Sequence, residues 1–239
     1  MKLSIVIPAY NEENDIENTI IRASDYFLKQ ALDYEIIVVD DGSKDRTVEK
    51  VRNLLGKYTN LRLLKNSSNR GKGSAVRLGM LQGAGDYLLF MDADLSTPLI
   101  EFIKFIPEIQ AGADIIIGTR KKKGANITMR QPILREYMGK VFTWVSNILL
   151  GCAVSDYTCG FKIFSRQAAK NIFSRQRIEG WGFDSEIIFL AGKNKYNIKE
   201  IPVSWHNDAG TKVRLVRDSI NSFIELIRIR INDIKKRYA

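Results

Sequence analysis

Five short runs rich in β-branched residues, LSIVIP (3–8), EIIVVDD (35–41), LRLLKN (61–66), DYLLFMDAD (86–94) and ADIIIGTR (113–120), alternate with helical patterns at 12–29, 44–58, 72–83 and 99–111. Strands that are apolar along their whole length and separated by helices specify a mostly parallel sheet, covered by helices on both faces. In such a sheet ligands bind beyond the carboxyl ends of the strands. The residues that follow each apolar run are therefore the ones to read for chemistry: Pro8–Tyr10, Asp40–Asp41, Asp92–Asp94 and Gly118–Arg120.

After residue 120 the rhythm changes. Residues 121–132 read as a loop, and 133–150 places apolar residues at 134, 138, 141, 145 and 148, which is helical spacing. A strand over 157–164, a helix over 181–193, a strand over 198–205 and a long amphipathic helix over 213–236 complete the reading. A chain of 239 residues without repeats or low-complexity linkers suits one α/β domain over 1–239.

The formal net charge of +10 raises the question of a polyanionic partner, and its placement narrows the answer. Residues 117–140 carry seven Lys/Arg against one Glu, and 211–239 carry eight against three acids. Both windows overlap amphipathic segments, which favours a membrane surface. A basic RNA- or membrane-binding protein without catalysis is the reading from another class, but it gives no reason for the acids at the strand ends. The expectation is no nucleic acid. Val141–Ser155, the longest charge-free apolar stretch, is too short to span a bilayer. With two cysteines, Cys152 and Cys159, and no leader pattern at the start, the expected setting is peripheral, on the cytoplasmic side.

The common phosphate-binding fingerprints fail. Around Asn69-Arg70-Gly71-Lys72-Gly73, Val76 stands where a dinucleotide motif needs a small residue, and no glycine precedes at 66 for a phosphate loop. Asp92-Ala93-Asp94 is sharper. Carboxylates at i and i+2 of an extended segment share a side, so both can reach a divalent cation held against a diphosphate. Asp40-Asp41-Gly42-Ser43 ends the second strand in the same manner. One of its acids is free to serve the turn and the other to accept hydrogen bonds from a base or ribose.

The ordered set Ile7-Pro8-Ala9-Tyr10-Asn11-Glu12, Val38-Val39-Asp40-Asp41-Gly42-Ser43, Asn69-Arg70-Gly71-Lys72-Gly73 and Asp92-Ala93-Asp94 resembles the inverting glycosyltransferases of family two, which have the GT-A fold. Gly118-Thr119-Arg120, Leu134-Arg135-Glu136, Asp156-Tyr157-Thr158-Cys159-Gly160-Phe161-Lys162, Trp181-Gly182-Phe183-Asp184-Ser185-Glu186 and Val203-Ser204-Trp205 are similar to the branch that glycosylates dolichyl or polyprenyl phosphate. The resemblance implies a nucleotide-sugar-binding half at 1–120, an acceptor-side half at 121–212 and an amphipathic helix at 213–236. It implies Pro8, Tyr10, Glu12, Asp40, Asp41, Lys72 and Asp92 on the nucleotide-sugar, Mg²⁺ or Mn²⁺ on Asp92 and Asp94, and Asp94, Arg120, Arg135 and Lys212 at the reacting phosphates. The donor expected is UDP-glucose, with GDP-mannose the alternative. Ser96 stands where sister mannosyltransferases often carry Gln, so the resemblance supplies no third protein ligand to the metal at that position. A phosphate acceptor is largely ionised near neutral pH, so no general base is expected, and His206, the one histidine, reads as structural.

Overall fold

The computed structural model describes residues 1–129, 133–206 and 215–239, with the side chains of 133–135 and 215–219 excepted. Strands β1 (Lys2–Ala9), β2 (Asp33–Asp40), β3 (Leu61–Lys65), β4 (Tyr87–Met91), β5 (Ile115–Thr119), β7 (Phe161–Ser165) and β8 (Ile198–Pro202) form one sheet, in the order β3-β2-β1-β4-β7-β5-β8. β1 pairs in parallel with both β2 and β4, which is why the chain ends of these strands lie side by side. Successive side chains of a strand point to opposite faces. Val6, Ile37, Val39, Leu88 and Phe90 enter one core with α3 (Lys72–Gln82), α6 (Arg166–Arg175) and α7 (Phe183–Lys193). Ile5, Ile7, Ile36, Val38, Leu89 and Met91 enter the other with α1 (Ile16–Lys29).

Helix α1 buries Ile16, Ile20, Ala23 and Phe27, one stripe at steps of three and four. It begins at Ile16, a turn later than the expected start at 12, after a turn in which Asn11 has φ +54° and Ile16 N donates to Glu12 O (2.9 Å). Helix α2 (Thr47–Leu55) follows β2. The helix expected over 99–111 is a 3₁₀ segment, Leu99–Phe105, running into α4 (Ile106–Gln110) with Pro107 in its first turn. Proline lacks the N–H that a continuous α-helix would use there.

Four features escape the sequence pattern. β7 is antiparallel to both β4 and β5, so the sheet is mixed rather than wholly parallel, and its strand begins at Phe161, not 157. The stretch expected as a loop contains β6 (Asn126–Met129), paired with β9 (Ser204–His206) in a separate two-stranded sheet. The single strand expected over 198–205 is thus split at buried Val203, where the chain changes sheets. Helix α6 was not signalled, although Ser165 caps it by accepting from Ala168 N (3.3 Å). Helices α5 (Ile133–Leu150) and α8 (Leu215–Ile234) pack together through a T-shaped Phe142–Phe223 contact, centroids 5.5 Å apart.

Helix α3 lies close to the sheet because Gly79 has no side chain: a Cβ there would stand 2.3 Å from Val6 Cγ1 and 2.9 Å from Val39 Cγ2. Gly79→Ala is expected to destabilise the fold by about 1–3 kcal/mol in urea unfolding, despite alanine's helix propensity. Gly139→Ala in α5, where nothing lies within 4 Å, should instead be neutral or stabilising by up to about 1 kcal/mol.

Candidate active site

The rim is built by the turns that leave β1, β2 and β4. Ala9 pairs with Asp40, and Asp41 N donates to Ala9 O (2.8 Å), so Pro8, Tyr10 and the two aspartates are neighbours. Side chains then join the first two turns: Asn11 N donates to Ser43 Oγ (2.9 Å), Lys44 N to Asn11 Oδ1 (2.8 Å) and Glu12 N to Thr47 Oγ1 (2.7 Å). Asp40 accepts from Ser43 N (3.1 Å) and lines a surface cavity of about 480 Å³ with Gly42, Lys44, Lys65 and the 66–69 turn. Asp41 does different work. It accepts from Asn66 Nδ2 (2.7 Å), Arg70 N (3.1 Å) and Gly71 N (2.7 Å), and so fixes the turn that launches α3. Both acids accept from backbone N–H groups, but Asp41 is the one that fixes the turn before α3 and Asp40 the one that lines the cavity.

Gly71 begins α3 at φ +113°, and a Cβ on it would meet Glu179 O at 2.5 Å. The turn therefore abuts the segment before α7, which lays Trp181 over Lys72, 5.4 Å from Nζ to ring centroid. Lys72 Nζ reaches Asp92 Oδ1 at 2.5 Å. Burial alone would lower the lysine pKa, but Asp92, and with it Asp184, raises it above its ordinary value.

Asp92–Asp94 do not lie in an extended strand as expected. The ladder between β4 and β7 ends at Met91, Asp92 N donates to Gly160 O (3.2 Å), and Asp94 then folds back to accept from Ser96 N (2.8 Å), with Leu95 at φ +53°. The acids come together through this turn rather than through strand alternation. Burial, and next the charge of Asp92, raise the Asp94 carboxyl above its usual range. Two hard oxygen donors in one turn suit a divalent cation held partly by phosphate oxygens. Gly160 makes room for them, since a Cβ there would stand 1.9 Å from Asp92 Oδ2.

Arg120 leaves β5 and forms a bidentate pair with buried Asp156, Nε to Oδ2 at 2.7 Å and Nη2 to Oδ1 at 2.8 Å, beside the Trp205 ring. Burial opposes the Asp156 charge, yet the guanidinium holds the carboxyl well below the usual range. Nη2 also donates to Thr158 Oγ1 (2.8 Å), and among the described residues none of the Arg120 hydrogen bonds uses Nη1. Arg120 is thus half committed before any phosphate arrives. Lys212 and the side chain of Arg135 lie outside the described residues. Of the nearby lysines, Lys121 is tied to Thr143 Oγ1 (2.5 Å) and Lys122 to Glu200 (2.7 Å).

Three residues given no role by sequence reasoning support the site. Lys162, fully buried, pairs with Asp184 (2.5 Å) and donates to Cys159 O (2.7 Å). Glu225 of α8 accepts from Gly182 N (2.6 Å) at the start of α7, in space left by Gly180 and Gly182. The signal for Lys162 and Asp184 was present in the second-half motifs; nothing in the periodicity of α8 distinguished Glu225. Both cysteines are free, with burial pushing the Cys159 thiol up to about 11. The His206 backbone N donates to Ser96 O (3.0 Å), so its strand braces the acidic turn.

This sheet, with its acidic turn facing a lysine at the strand ends, has the GT-A fold, which solved structures share. The chain is similar to glucosyl-3-phosphoglycerate synthase from Mycobacterium tuberculosis in complex with UDP (TM-score 0.68, 20% identity, covering 95% of this chain and 79% of that one). The same enzyme in complex with Mn²⁺, UDP and glucosyl-3-phosphoglycerate also has a TM-score of 0.68, with the same identity and coverage. The chain belongs to glycosyl transferase family 2, whose family model matches residues 4–173. It is 36% identical to a dolichyl-phosphate β-glucosyltransferase of Trichomonas vaginalis, over 95% of this chain and 70% of that protein. Identity is likewise 36% to the Saccharomyces cerevisiae dolichyl-phosphate β-glucosyltransferase (96% and 74% covered) and 34% to that of Homo sapiens (89% and 69%).

Removing one partner of a buried ion pair strands the other charge. Asp156→Asn should therefore lower stability by roughly 3–5 kcal/mol in chemical unfolding, whereas Arg120→Met with Asp156→Leu should recover most of the loss. The Asp156 pKa is depressed in the folded state, so its stabilisation is present above about pH 4 and fades as the pH falls through the depressed value. Acid sensitivity below pH 4 should weaken in the double variant.

Proposed function

We propose that the chain transfers glucose from UDP-glucose to dolichyl or a related polyprenyl phosphate at a membrane surface, with inversion at the sugar carbon. The observation that carries the reading is the Asp92–Asp94 turn facing Lys72 at the end of β4. Relatives that align over 89–96% of this chain are dolichyl-phosphate β-glucosyltransferases, which supports the donor and acceptor.

In this reading Asp40, with Pro8, Tyr10 and Glu12 beside it, receives the nucleoside, and the cavity it lines supplies the space. Asp41 acts on the protein itself, holding the Gly71 turn so that Lys72 meets the donor diphosphate. Asp92 and Asp94 hold Mg²⁺ or Mn²⁺, which when bound offsets the charge of the leaving diphosphate. Arg120, pinned by Asp156, turns its Nη1 donors to the acceptor phosphate, and Arg135 and Lys212 are assigned to the same anion on the family resemblance. An acceptor phosphate oxygen attacks the sugar carbon as its bond to the diphosphate breaks, and no side chain needs to remove a proton.

Helix α8 supports the membrane role. It buries Leu226 and Ile229 but exposes Ile220, Ile224, Ile227, Ile231 and Ile234, a second apolar stripe. Helix α5 beside it exposes Tyr137, Trp144 and Ile148, with Trp144 66% accessible. Exposed Arg228, Arg230, Lys235 and Lys236 flank the α8 stripe. Apolar and basic residues on one surface suit an anionic interface, and no described helix is long and apolar enough to cross a membrane.

Radiolabelled sugar should pass from UDP-glucose, and far less from GDP-mannose, into organic-extractable lipid when dolichyl phosphate and Mn²⁺ are supplied. No transfer from UDP-glucose would remove the reading. Asp94→Ala should reduce the rate at least about a hundredfold while the circular dichroism stays unchanged. Replacing both Ile227 and Ile231 by Asp should cut cosedimentation with anionic vesicles at least about tenfold. Unchanged cosedimentation would take the membrane role away from α8.

A further inference from the structure

Lys72 stands where a cation is required. Its ammonium lies 2.5 Å from Asp92 Oδ1, under the Trp181 ring, with Asp94 and Asp184 as the further acids nearby. Among the described residues no cluster of three or more His, Cys, Asp or Glu side chains is arranged to hold a metal. Among the described residues, the donors assigned to the metal are the two carboxylates of Asp92 and Asp94. One of them is already in an ion pair, and the other already accepts from Ser96 N.

A bare divalent ion at Asp92 either breaks the Lys72–Asp92 pair at Oδ1 or sits against the ammonium charge, and in both cases a poorly solvated ammonium is left beside it. Two carboxylates and water are all it gains, which is a weak set for Mg²⁺ or Mn²⁺. A diphosphate changes both sides of the exchange. Its oxygens complete the coordination, and its negative charge gives Lys72 a new partner at the N-terminus of α3, where the helix itself favours an anion.

We propose that Lys72 is an internal counter-ion of Asp92, which keeps the divalent cation out until a nucleoside diphosphate group draws the lysine away, so that metal and nucleotide enter together. This rests on the assignment of the metal to Asp92 and Asp94. It assigns Lys72 two successive partners, Asp92 in the empty site and the diphosphate in the loaded one. A lysine that met only the phosphate and stood away from Asp92 would have little effect on metal affinity in the absence of nucleotide.

The test is a titration of the full chain with Mn²⁺ alone and with Mn²⁺ plus UDP, reading free Mn²⁺ by electron paramagnetic resonance. Wild type should bind Mn²⁺ alone weakly and at least about tenfold more tightly with UDP, within the usual range of coupling between two ligands. Lys72→Met, and independently Lys72→Gln, should bind Mn²⁺ alone at least about tenfold more tightly than wild type, and UDP should add little. Neutral variants whose affinity for Mn²⁺ alone is unchanged or weaker overturn the counter-ion role. If in that case Asp94→Ala still abolishes the UDP-dependent binding of wild type, the metal assignment survives. Tight binding in Lys72→Met that persists when Asp94→Ala is added overturns both.

Discussion

The carboxylate of Asp92 meets the ammonium of Lys72 at the end of a strand that lies beside β1, itself beside β2. Parallel pairing forces the carboxyl ends of these strands together, and with them come Asp40, Asp41, Asp92 and Asp94. Like charges so placed repel, and each needs a donor or a cation. Asp41 takes three N–H groups from the 66–71 turn, Asp92 takes Lys72, and a little further along the sheet Asp156 takes Arg120 and Asp184 takes Lys162. Asp94 makes no ion pair among the described residues and has a raised pKa. On the proposed metal assignment, a divalent ion would supply the charge that Asp94 lacks.

These pairings depend on close backbone approaches. Gly71 and Gly73 let the start of α3 press against the 178–183 segment, Gly160 leaves room for the Asp92 carboxylate, and Gly180 and Gly182 leave room for Glu225. Helix α8 thereby touches the segment that carries Trp181, and through it the surroundings of Lys72. Tyr238 adds a second tie, donating to buried Glu186 (2.5 Å), whose carboxylate also accepts from Ile178 N (2.7 Å). The helix with the outward isoleucines and the tail that follows it are therefore each joined to the surroundings of the site.

That arrangement gives α8 two apolar faces with separate duties. Leu226 and Ile229 anchor it to the body of the protein, and the stripe from Ile220 to Ile234 is exposed, which is the surface the proposed function gives to the membrane. A hydrophobic pattern in the sequence reports that a face avoids water. Which phase removes the water is decided by what packs nearby.

The sequence by itself determined the alternation of strand and helix up to residue 120, the parallel pairing this demands and the acids at the strand ends, because these follow from local periodicity and from motifs whose residues are contiguous. It also contained Lys72, Asp92 and Asp94 by name. It did not determine that β7 runs against its neighbours, that the chain changes sheets at Val203, or that Asp92 and Asp94 meet through a turn closed on Ser96. Nor did it show that Arg120 is bound to Asp156 and Lys72 to Asp92. Those facts join residues far apart in the chain, and their energies depend on burial and on distances of a few ångströms, which exist only once the tertiary structure has formed.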